Sequence, residues 1–326
     1  MTIDGLAEYL EAHDDYIVVS HDSPDADGLG AAYALVLALQ ATGKRAAAAV
    51  ADYVPPKYRF IDRRSLFVSI GGHPPLPFGP GGATVIVVDT HDLHYVGSQV
   101  ERLIGAAAAC LVIDHHELRG EIPELALLDP SASSSCELVW GVAKLLGAAL
   151  PEDAAEALFS GIVYDTGSFS YPKTTERTFA CALELVRMGV KPYTIHNRMY
   201  ESSSIGVLIL QKTVFSSLEL HEGNRVAVQT LRRADLASSG ASYEDAEDLV
   251  NTPLQGRTIE VSVLFKENLE GRLRCSLRSK GGVNVAHIAQ SFGGGGHKTA
   301  AGFTCGSPLE RAKGDVLQSI ARALAR

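Results

Sequence analysis

The chain has 326 residues, a length that favours about two domains. Hydrophobic residues make up 46% and charged residues 21% of the sequence, which is ordinary for a soluble globular protein and excludes a mainly disordered chain. The formal net charge of −9 disfavours a general electrostatic clamp on long duplex DNA, although a small anionic ligand in one local site is still allowed.

Cysteine usage and the N-terminus indicate the compartment. The five cysteines are scattered, odd in number and form no Cys-x-x-Cys pair, so we expect a reducing environment rather than a disulfide framework. The N-terminal residues are acidic, and we expect no signal peptide. No uncharged apolar stretch reaches the roughly 20 residues that span a bilayer. We therefore expect a cytoplasmic protein without a membrane segment.

The first half alternates short β-branched runs with Ala- and Leu-rich helical runs. The segments 16–19, 84–88 and 110–113 are continuous apolar runs, which are typical of parallel strands that helices cover on both faces. A helix is predicted over 30–41. These patterns predict an open, mainly parallel α/β sheet flanked by helices, which forms a first domain over about residues 1–190.

The second half has a different pattern. We expect a helical connector over 191–212, followed by a smaller α/β domain over 213–326. Within it, the segments 225–229, 259–265 and 272–277 have strand propensity, and 268–271 is predicted to be a turn. This domain is locally more basic than the first, and we expect an active-site cleft between the two.

Acidic and histidine side chains follow the predicted strands of the first domain. The apolar stretch 159–164 is interpreted as one further strand, because an aspartate follows it directly. Parallel strands end at one edge of a sheet, so we expect these side chains to meet in one crevice. They are, in chain order, His21, Asp25, Asp27, Asp89, Asp114, His115, His116 and Asp165.

Several carboxylates in one crevice cannot all stay ionised without compensation. Asp25, Asp27, Asp89 and Asp165 together carry a formal charge of about −4, which two divalent cations would cancel. A mixed carboxylate and imidazole set suits Mn²⁺ better than Mg²⁺, which prefers oxygen ligands. Two such ions about 3.5–4 Å apart are the usual arrangement for the hydrolysis of phosphate esters by an activated water.

Four motifs carry a family resemblance: His-x-x-Pro-Asp-x-Asp-x-x-Gly at 21–30, Val-Asp-Thr at 88–90, Asp-His-His at 114–116 and Asp-Thr-Gly-Ser-Phe at 165–169. The glycine-rich run at 292–302 looks like the signature of the DHH-associated C-terminal domain. The chain thus resembles the DHH phosphoesterase superfamily over essentially its whole length. In size and layout it is most similar to the bacterial nano-RNase and pAp phosphatase (NrnA-type) group, since it has no room for the extra domain of RecJ-type exonucleases.

The resemblance implies two divalent metal ions, expected to be Mn²⁺, with Mg²⁺ or Co²⁺ as alternatives. One ion would be bound by His21 and Asp25, and Asp89 would bridge both. The second ion would be bound by Asp27, His115 and Asp165. The resemblance also implies that His116 faces the substrate phosphate and that Asp114 orients a ligand imidazole. The substrate contacts that it implies in the second domain are Arg278, His297 and the backbone of Gly294, Gly295 and Gly296.

Simpler interpretations exist for several of these residues. Taken alone, Asp25 and Asp27 would be equally well explained as helix caps. His91 and His94 are better interpreted as solvated loop histidines than as part of the crevice. The serines at 133–135 are expected to cap a helix. The glycines at 293–296 would, by themselves, be a flexible turn. For Arg274, Lys280 and Lys298 the simpler interpretation is a solvated face.

The sequence therefore predicts a Mn²⁺-dependent phosphoesterase that hydrolyses short oligoribonucleotides to 5′-mononucleotides and dephosphorylates 3′-phosphoadenosine 5′-phosphate (pAp). Linear or cyclic dinucleotides, pyrophosphate and polyphosphate are alternative substrates of the same chemistry. A nucleotide-binding sensor without turnover is the alternative outside the enzymes. The expected partners are short RNA or small nucleotides, without long duplex DNA or membrane, and a homodimer is an open expectation because the family often forms dimers.

Overall fold

The computed structural model describes residues 1–118, 122–268, 270–296 and 298–325. The chain divides into two compact units, Met1–Ser202 and Ser203–Arg326. The division falls inside the segment 191–212, which the sequence predicts as a connector. None of the helices in the described residues combines the length and apolar composition needed to cross a membrane.

The first unit contains a six-stranded sheet in which every pair of neighbouring strands is parallel. Its spatial order is 3-2-1-4-5-6. The strands are β1 Tyr16–Val19, β2 Ala46–Val50, β3 Phe67–Ser69, β4 Thr84–Val88, β5 Ala109–Asp114 and β6 Leu125–Leu128.

Seven helices belong to the first unit among the residues that the structure describes. They are α1 Ile3–Ala12, α2 Ala26–Ala41, α3 Gly97–Gly105, α4 Ser135–Leu145, α5 Glu152–Asp165, α6 Glu176–Arg187 and α7 Pro192–Tyr200. Short 3₁₀ turns lie at Pro56–Tyr58, Pro80–Gly82 and Leu93–Tyr95.

Alternate residues of each central strand enter two different cores. Tyr16 and Val18 of β1 pack with α1, α2, α4 and α5 on one face, whereas Ile17 and Val19 pack with α3 on the other. Burial on both faces explains why these strands are continuous apolar runs rather than alternating ones. The predicted fold class of the first domain is confirmed.

Helix α2 lies between the sheet and helix α5, and nearly all of its residues are buried. The close packing requires glycine at two points. A Cβ on Gly30 would overlap the carbonyl oxygen of Ala157, and one on Gly161 would lie 2.7 Å from Asp27 Oδ1. These contacts fix the first turn of α2, which carries two of the predicted ligands.

The second unit is a mixed sheet of order 11-12-10-9-8-7, in which β8 and β9 are parallel and the other pairs antiparallel. Its strands are β7 Glu219–His221, β8 Val226–Leu231, β9 Val261–Glu267, β10 Leu273–Ser279, β11 Gly295–Gly296 and β12 Ala300–Thr304. Its helices are α8 Ile205–Ser216, α9 Arg233–Ser239, α10 Val285–Ser291 and α11 Leu309–Leu324, with a 3₁₀ segment at Glu244–Gln255.

Helices α10 and α11 cover one face of this sheet, and α8, α9 and the 3₁₀ segment cover part of the other. The three strands predicted at 225–229, 259–265 and 272–277 correspond to β8, β9 and β10. The smaller α/β fold predicted for the second half is therefore confirmed.

Candidate functional site

The topology of the first sheet locates the site. In the order 3-2-1-4-5-6, the strand order reverses between β1 and β4, which lie side by side and are parallel. Ligands of open α/β sheets bind beyond the carboxyl ends of the strands at such a switch point. The segments that follow β1, β4 and β5 lie at this edge and carry five of the six predicted ligands, all except Asp165.

The loop after β1 contributes His21, Asp25 and Asp27. Asp25 caps helix α2, because its Oδ1 accepts hydrogen bonds from the backbone N–H groups of Asp27, at 2.9 Å, and Gly28, at 3.1 Å. Its second oxygen, Oδ2, lies 3.9 Å from His21 Nε2. Capping and a place in the site are thus compatible for Asp25, since each role uses a different oxygen.

Asp27 is fully buried in the first turn of α2. Its carboxylate accepts hydrogen bonds from two backbone N–H groups at the N-terminus of α4, those of Ser135 at 2.6 Å and Cys136 at 2.9 Å. The positive end of a helix favours an anion at this place. These bonds hold the Asp27 carboxylate in one orientation.

Asp89 lies directly after β4 with a positive backbone angle, φ +68°. Its Oδ2 is 3.6 Å from His21 Nε2, and its Oδ1 is 3.5 Å from His115 Nε2. The hydroxyl of Ser135 donates to Oδ1 at 3.2 Å. The two oxygens of Asp89 therefore face two different imidazoles.

His115 lies among three carboxylates. Its Nε2 is 2.8 Å from Asp165 Oδ2, 3.5 Å from Asp89 Oδ1 and 3.9 Å from Asp27 Oδ2. The atom is buried and makes no well-aligned hydrogen bond with the described residues. An imidazole nitrogen without a hydrogen bond, surrounded by carboxylate oxygens, is the arrangement that a cation would complete.

Three groups of ligand atoms, each within 4.8 Å of one another, occur among the described residues. The first contains His21, Asp25 and Asp89, and the second contains Asp27, His115 and Asp165. The third group shares Asp89 with the first group and His115 with the second, and it contains Asp89, Asp114, His115 and His116. The six residues expected as metal ligands are therefore brought together, and the donor set of carboxylates and imidazoles fits divalent transition ions.

Asp165 lies at the end of a helix, whereas the sequence predicts it at the end of a strand. The apolar stretch 159–164 is the last part of helix α5, not a strand, so the expectation that Asp165 ends a parallel strand is wrong. A turn follows the helix in which Gly167, Ser168 and Phe169 all have positive φ. Such strained backbone is held by its surroundings and often occurs at functional sites.

The electrostatics of the site reflect its crowded charges. Burial raises the pKa of Asp25 to about 7, and the charge of Asp89 adds to the rise. Burial, with the charges of Asp89 and Asp165, also raises the pKa of Asp27. Burial would lower the pKa of His115, but Asp165 and Asp89 outweigh it and raise the pKa to about 11. The carboxylates compete for positive charge, which divalent ions would supply.

Asp114 is fully buried at the end of β5. Its Oδ1 accepts from His116 Nδ1 at 2.7 Å and from the backbone N–H of His115 at 2.8 Å. Asp114 thus orients the ring of His116, whereas its contact with the expected ligand His115 is through the main chain. The His116 side chain is 52% exposed, which leaves it accessible to a substrate.

His91 corrects one expectation. It is 4% exposed, and its Nδ1 lies 2.5 Å from Asp114 Oδ2, so it is not a solvated loop histidine. His94 is exposed, as expected. The serine run behaves as predicted, because Ser134 is the N-cap of α4 and its side chain accepts from the backbone N–H of Glu137.

Two neighbours of the site were not predicted. Ser135 contacts both Asp27 and Asp89, and the expected helix N-terminus at 133–135 was the signal that could have found it. Lys173 donates from Nζ to the backbone carbonyl of His115 at 3.0 Å. No motif marks this lysine in the sequence.

The second unit contains the remaining substrate contacts that the sequence predicts. Arg278 lies on β10, opposite Ala300 of β12, and is partly exposed. Gly295 and Gly296 form β11 and pair with Gly302 and Ala301 of β12. The glycines are thus a short strand rather than a flexible turn, and His297 lies outside the described residues.

Gly294 requires a correction. Its N–H already donates to the carbonyl of Ala289 at 2.9 Å, at the end of α10, so it is not a free donor for an anion. A Cβ at this position would overlap the carbonyl oxygen of Gly302. Glycine is therefore required here by the close approach of two backbones.

Comparison with known families agrees with this geometry. Residues 15–162 match the DHH family, N-terminal domain, and residues 223–326 match the DHHA1 domain. The chain belongs to the DHH family. The family recognised from the sequence motifs is thus confirmed, and with it the prediction of a phosphoesterase.

Curated relatives and a solved structure extend the comparison. The chain is 31% identical to the bifunctional oligoribonuclease and PAP phosphatase NrnA of Thermus thermophilus, over 98% of this chain and 94% of that protein. It is 33% identical to the Bacillus subtilis protein of the same name, over 68% and 69% of the two chains. The cyclic-di-AMP phosphodiesterase GdpP of Bacillus subtilis is 28% identical, over 94% of this chain and 48% of that protein.

Among solved structures, an exopolyphosphatase-related protein from Bacteroides fragilis has the same fold. It superposes with a TM-score of 0.89 at 24% identity, and the match covers 99% of this chain and 95% of the other.

Proposed function

We propose that the protein is a two-metal phosphoesterase that releases 5′-mononucleotides from short oligoribonucleotides and dephosphorylates pAp. The observation that carries this proposal is the pair of ligand groups that meet at Asp89, one with His21 and Asp25 and the other with Asp27, His115 and Asp165. The relatives from Thermus thermophilus and Bacillus subtilis, both named oligoribonuclease and PAP phosphatase, support the choice of substrates.

His21 and Asp25 would hold one ion, Asp27, His115 and Asp165 the other, and Asp89 both. The ions, when bound, would supply a water that is deprotonated near neutral pH and positive charge for the phosphate. Asp89 suits the bridging role because its oxygens face His21 and His115 separately. The mixed imidazole and carboxylate ligands favour Mn²⁺, with Mg²⁺ and Co²⁺ as weaker candidates.

His116 is the proposed catalytic residue. Its Nδ1 is held by Asp114, which directs the other ring nitrogen, Nε2, away from that carboxylate. A protonated Nε2 would hydrogen bond to a phosphate oxygen or give its proton to the leaving oxygen. The pKa of His116 is raised by its hydrogen bond to Asp114, although burial opposes this, so His116 keeps its proton to a higher pH than a free imidazole does.

We propose that the second unit binds the rest of the nucleotide. Arg278 lies on the partly exposed side of β10, where its guanidinium offers several donors in the geometry that phosphate accepts. The paired glycines Gly295 and Gly296 carry no side chain that would hinder approach of a phosphate to the backbone.

The proposal also includes the domain limits, near 1–190, 191–212 and 213–326, and a cytoplasmic location.

A parallel assay tests the proposed function. Di- to pentaribonucleotides, pAp, pyrophosphate, linear di-adenylate and cyclic di-AMP are each incubated with the protein, with Mn²⁺ and after chelation, and mononucleotide and phosphate release are measured. We expect the short oligoribonucleotides and pAp to be turned over fastest, and only with metal present.

The outcomes separate the alternatives. Faster turnover of pyrophosphate or of the dinucleotides would replace the proposed substrates, and GdpP is the relative that makes the cyclic dinucleotide a specific competitor. Tight nucleotide binding without turnover, in a protein that has bound its metal, would favour a sensor.

A further inference from the structure

A buried histidine that the proposed mechanism does not use lies next to the site. His91 follows β4 by three residues and is 4% exposed, and its Nδ1 lies 2.5 Å from Asp114 Oδ2. The other oxygen of Asp114, Oδ1, accepts from His116 Nδ1 at 2.7 Å. One fully buried carboxylate therefore links the two imidazoles.

The hydrogen bonds of Asp114 are divided between its oxygens. Oδ1 receives the ring of His116 and the backbone N–H groups of His115 and His116, at 2.8 Å and 3.2 Å, whereas Oδ2 receives His91. The carboxyl torsion of aspartate is soft, so a carboxylate held through one oxygen alone can rotate. The bond from His91 fixes that torsion, and with it the direction from which His116 is held.

His91 itself contributes to none of the ligand groups found among the described residues. His94, three residues further along the chain, is exposed. A buried polar side chain that is bonded to a second buried polar group is kept there by that bond. Through Asp114, His91 is connected to His116.

We propose that His91 is a positioning residue that orients His116 through Asp114. The inference rests on the proposed role of His116 in phosphate ester hydrolysis. It assigns a function to a histidine outside the Asp-His-His motif and makes His91–Asp114–His116 a continuous hydrogen-bonded chain.

Two substitutions separate the hydrogen bond from the volume of the side chain. His91→Phe keeps the ring size and removes the donor, whereas His91→Asn is smaller but places an amide N–H where Nδ1 was. We expect His91→Phe to lower kcat about 10- to 100-fold, as is usual when a group that supports a site residue is lost, with KM and metal content changed less than about threefold. His91→Asn should recover kcat to within about fivefold of wild type. The same two substitutions at exposed His94 are the matched controls and should leave kcat unchanged.

A double-mutant cycle tests the route of the effect. If His91 acts through His116, adding His91→Phe to His116→Ala should change kcat less than about twofold, because the positioned ring is already absent. Multiplicative losses in the double variant would overturn the inference, as would wild-type kcat in His91→Phe, or a His91→Asn variant as slow as His91→Phe with an unchanged Tm.

An NMR measurement on metal-free protein tests the positioning role of His91 independently of the proposed phosphoesterase activity. In metal-free protein labelled with ¹⁵N-histidine, we expect His91→Phe to shift the Nδ1 resonance of His116 and His94→Phe to leave it unchanged. If the wild-type protein hydrolyses none of the phosphate esters, the proposed function fails, and this spectrum alone decides on His91. An unshifted His116 resonance in His91→Phe would refute the positioning role.

Discussion

Replacement of Asp89 by asparagine tests the shared ligand. The backbone of Asp89 has φ +68°, a conformation that asparagine tolerates and alanine does not. Asp89→Asn thus removes one negative charge without the roughly 1–2 kcal/mol of backbone strain that Asp89→Ala would add. The effect of the variant can therefore be attributed to the carboxylate.

The magnitude follows from the burial of the group. Asp89 is 3% exposed and its oxygens face His21 and His115 at 3.6 Å and 3.5 Å. Removing one partner of a buried charge pair costs about 3–5 kcal/mol. We take the same cost as the loss of metal-binding free energy, which at 1.4 kcal/mol per tenfold change corresponds to a fall in metal affinity by a factor of about 10² to 4 × 10³. A bridging residue should lose this affinity at both sites, and turnover should become undetectable.

The assay combines metal content by mass spectrometry after desalting with mononucleotide release from a diribonucleotide. Wild-type protein should retain two ions per chain, and Asp89→Asn should retain fewer than one. Asp22→Asn removes an exposed carboxylate from the loop after β1 and should behave as wild type. An Asp89→Asn variant with two bound ions, or with more than a few per cent of wild-type activity, would refute the bridging role.

Three further predictions follow from the two units. Arg278→Ala should raise the apparent KM for short oligoribonucleotides at least about tenfold with metal content unchanged. Arg272→Ala, at an exposed position, should leave the KM unchanged. An unchanged KM in Arg278→Ala would show that Arg278 does not bind the substrate. Gly294→Ala should lower the free energy of unfolding of the second unit by about 1–3 kcal/mol because its Cβ overlaps Gly302, whereas Gly295→Ala meets open space and should be nearly neutral by chemical denaturation; equal effects would contradict the backbone contact. Chelation of the metal should lower the Tm of the first unit by about 5–11 °C, since a metal concentration of 100 times Kd stabilises the folded protein by about 2.7 kcal/mol. Chelation should leave the Tm of Asp89→Asn unchanged. An identical shift in the wild-type protein and in Asp89→Asn would contradict the ligand assignment.

The sequence predicts the central sheet of the first unit well because burial on both faces leaves a distinctive pattern. β1, β4 and β5 are uninterrupted apolar runs, and each ends at a polar motif. By contrast, β2 consists of the residues Ala-Ala-Ala-Ala-Val at 46–50. Alanine favours helix by propensity, and only the place of this segment beside β1 makes it a strand. Tertiary context of this kind is not readable from one local stretch.

The ligand set could be predicted even where the local structure could not. The sequence predicts Asp165 at the end of a strand, yet Asp165 ends α5, because a short and largely apolar segment such as 159–164 does not distinguish a buried helix from a strand. The Asp-Thr-Gly-Ser-Phe motif nevertheless identifies Asp165 as a site residue, and in the structure Asp165 lies beside His115. The sequence predicts a solvated His91, since nothing in its own sequence neighbourhood shows that it contacts Asp114, 23 residues away, and is buried.

The most direct test of the account is anomalous diffraction from crystals of the protein grown with Mn²⁺. We expect two manganese peaks, one in contact with His21 and Asp25, the other with Asp27, His115 and Asp165, and both in contact with Asp89. A single peak, or two peaks that do not share Asp89, would contradict it.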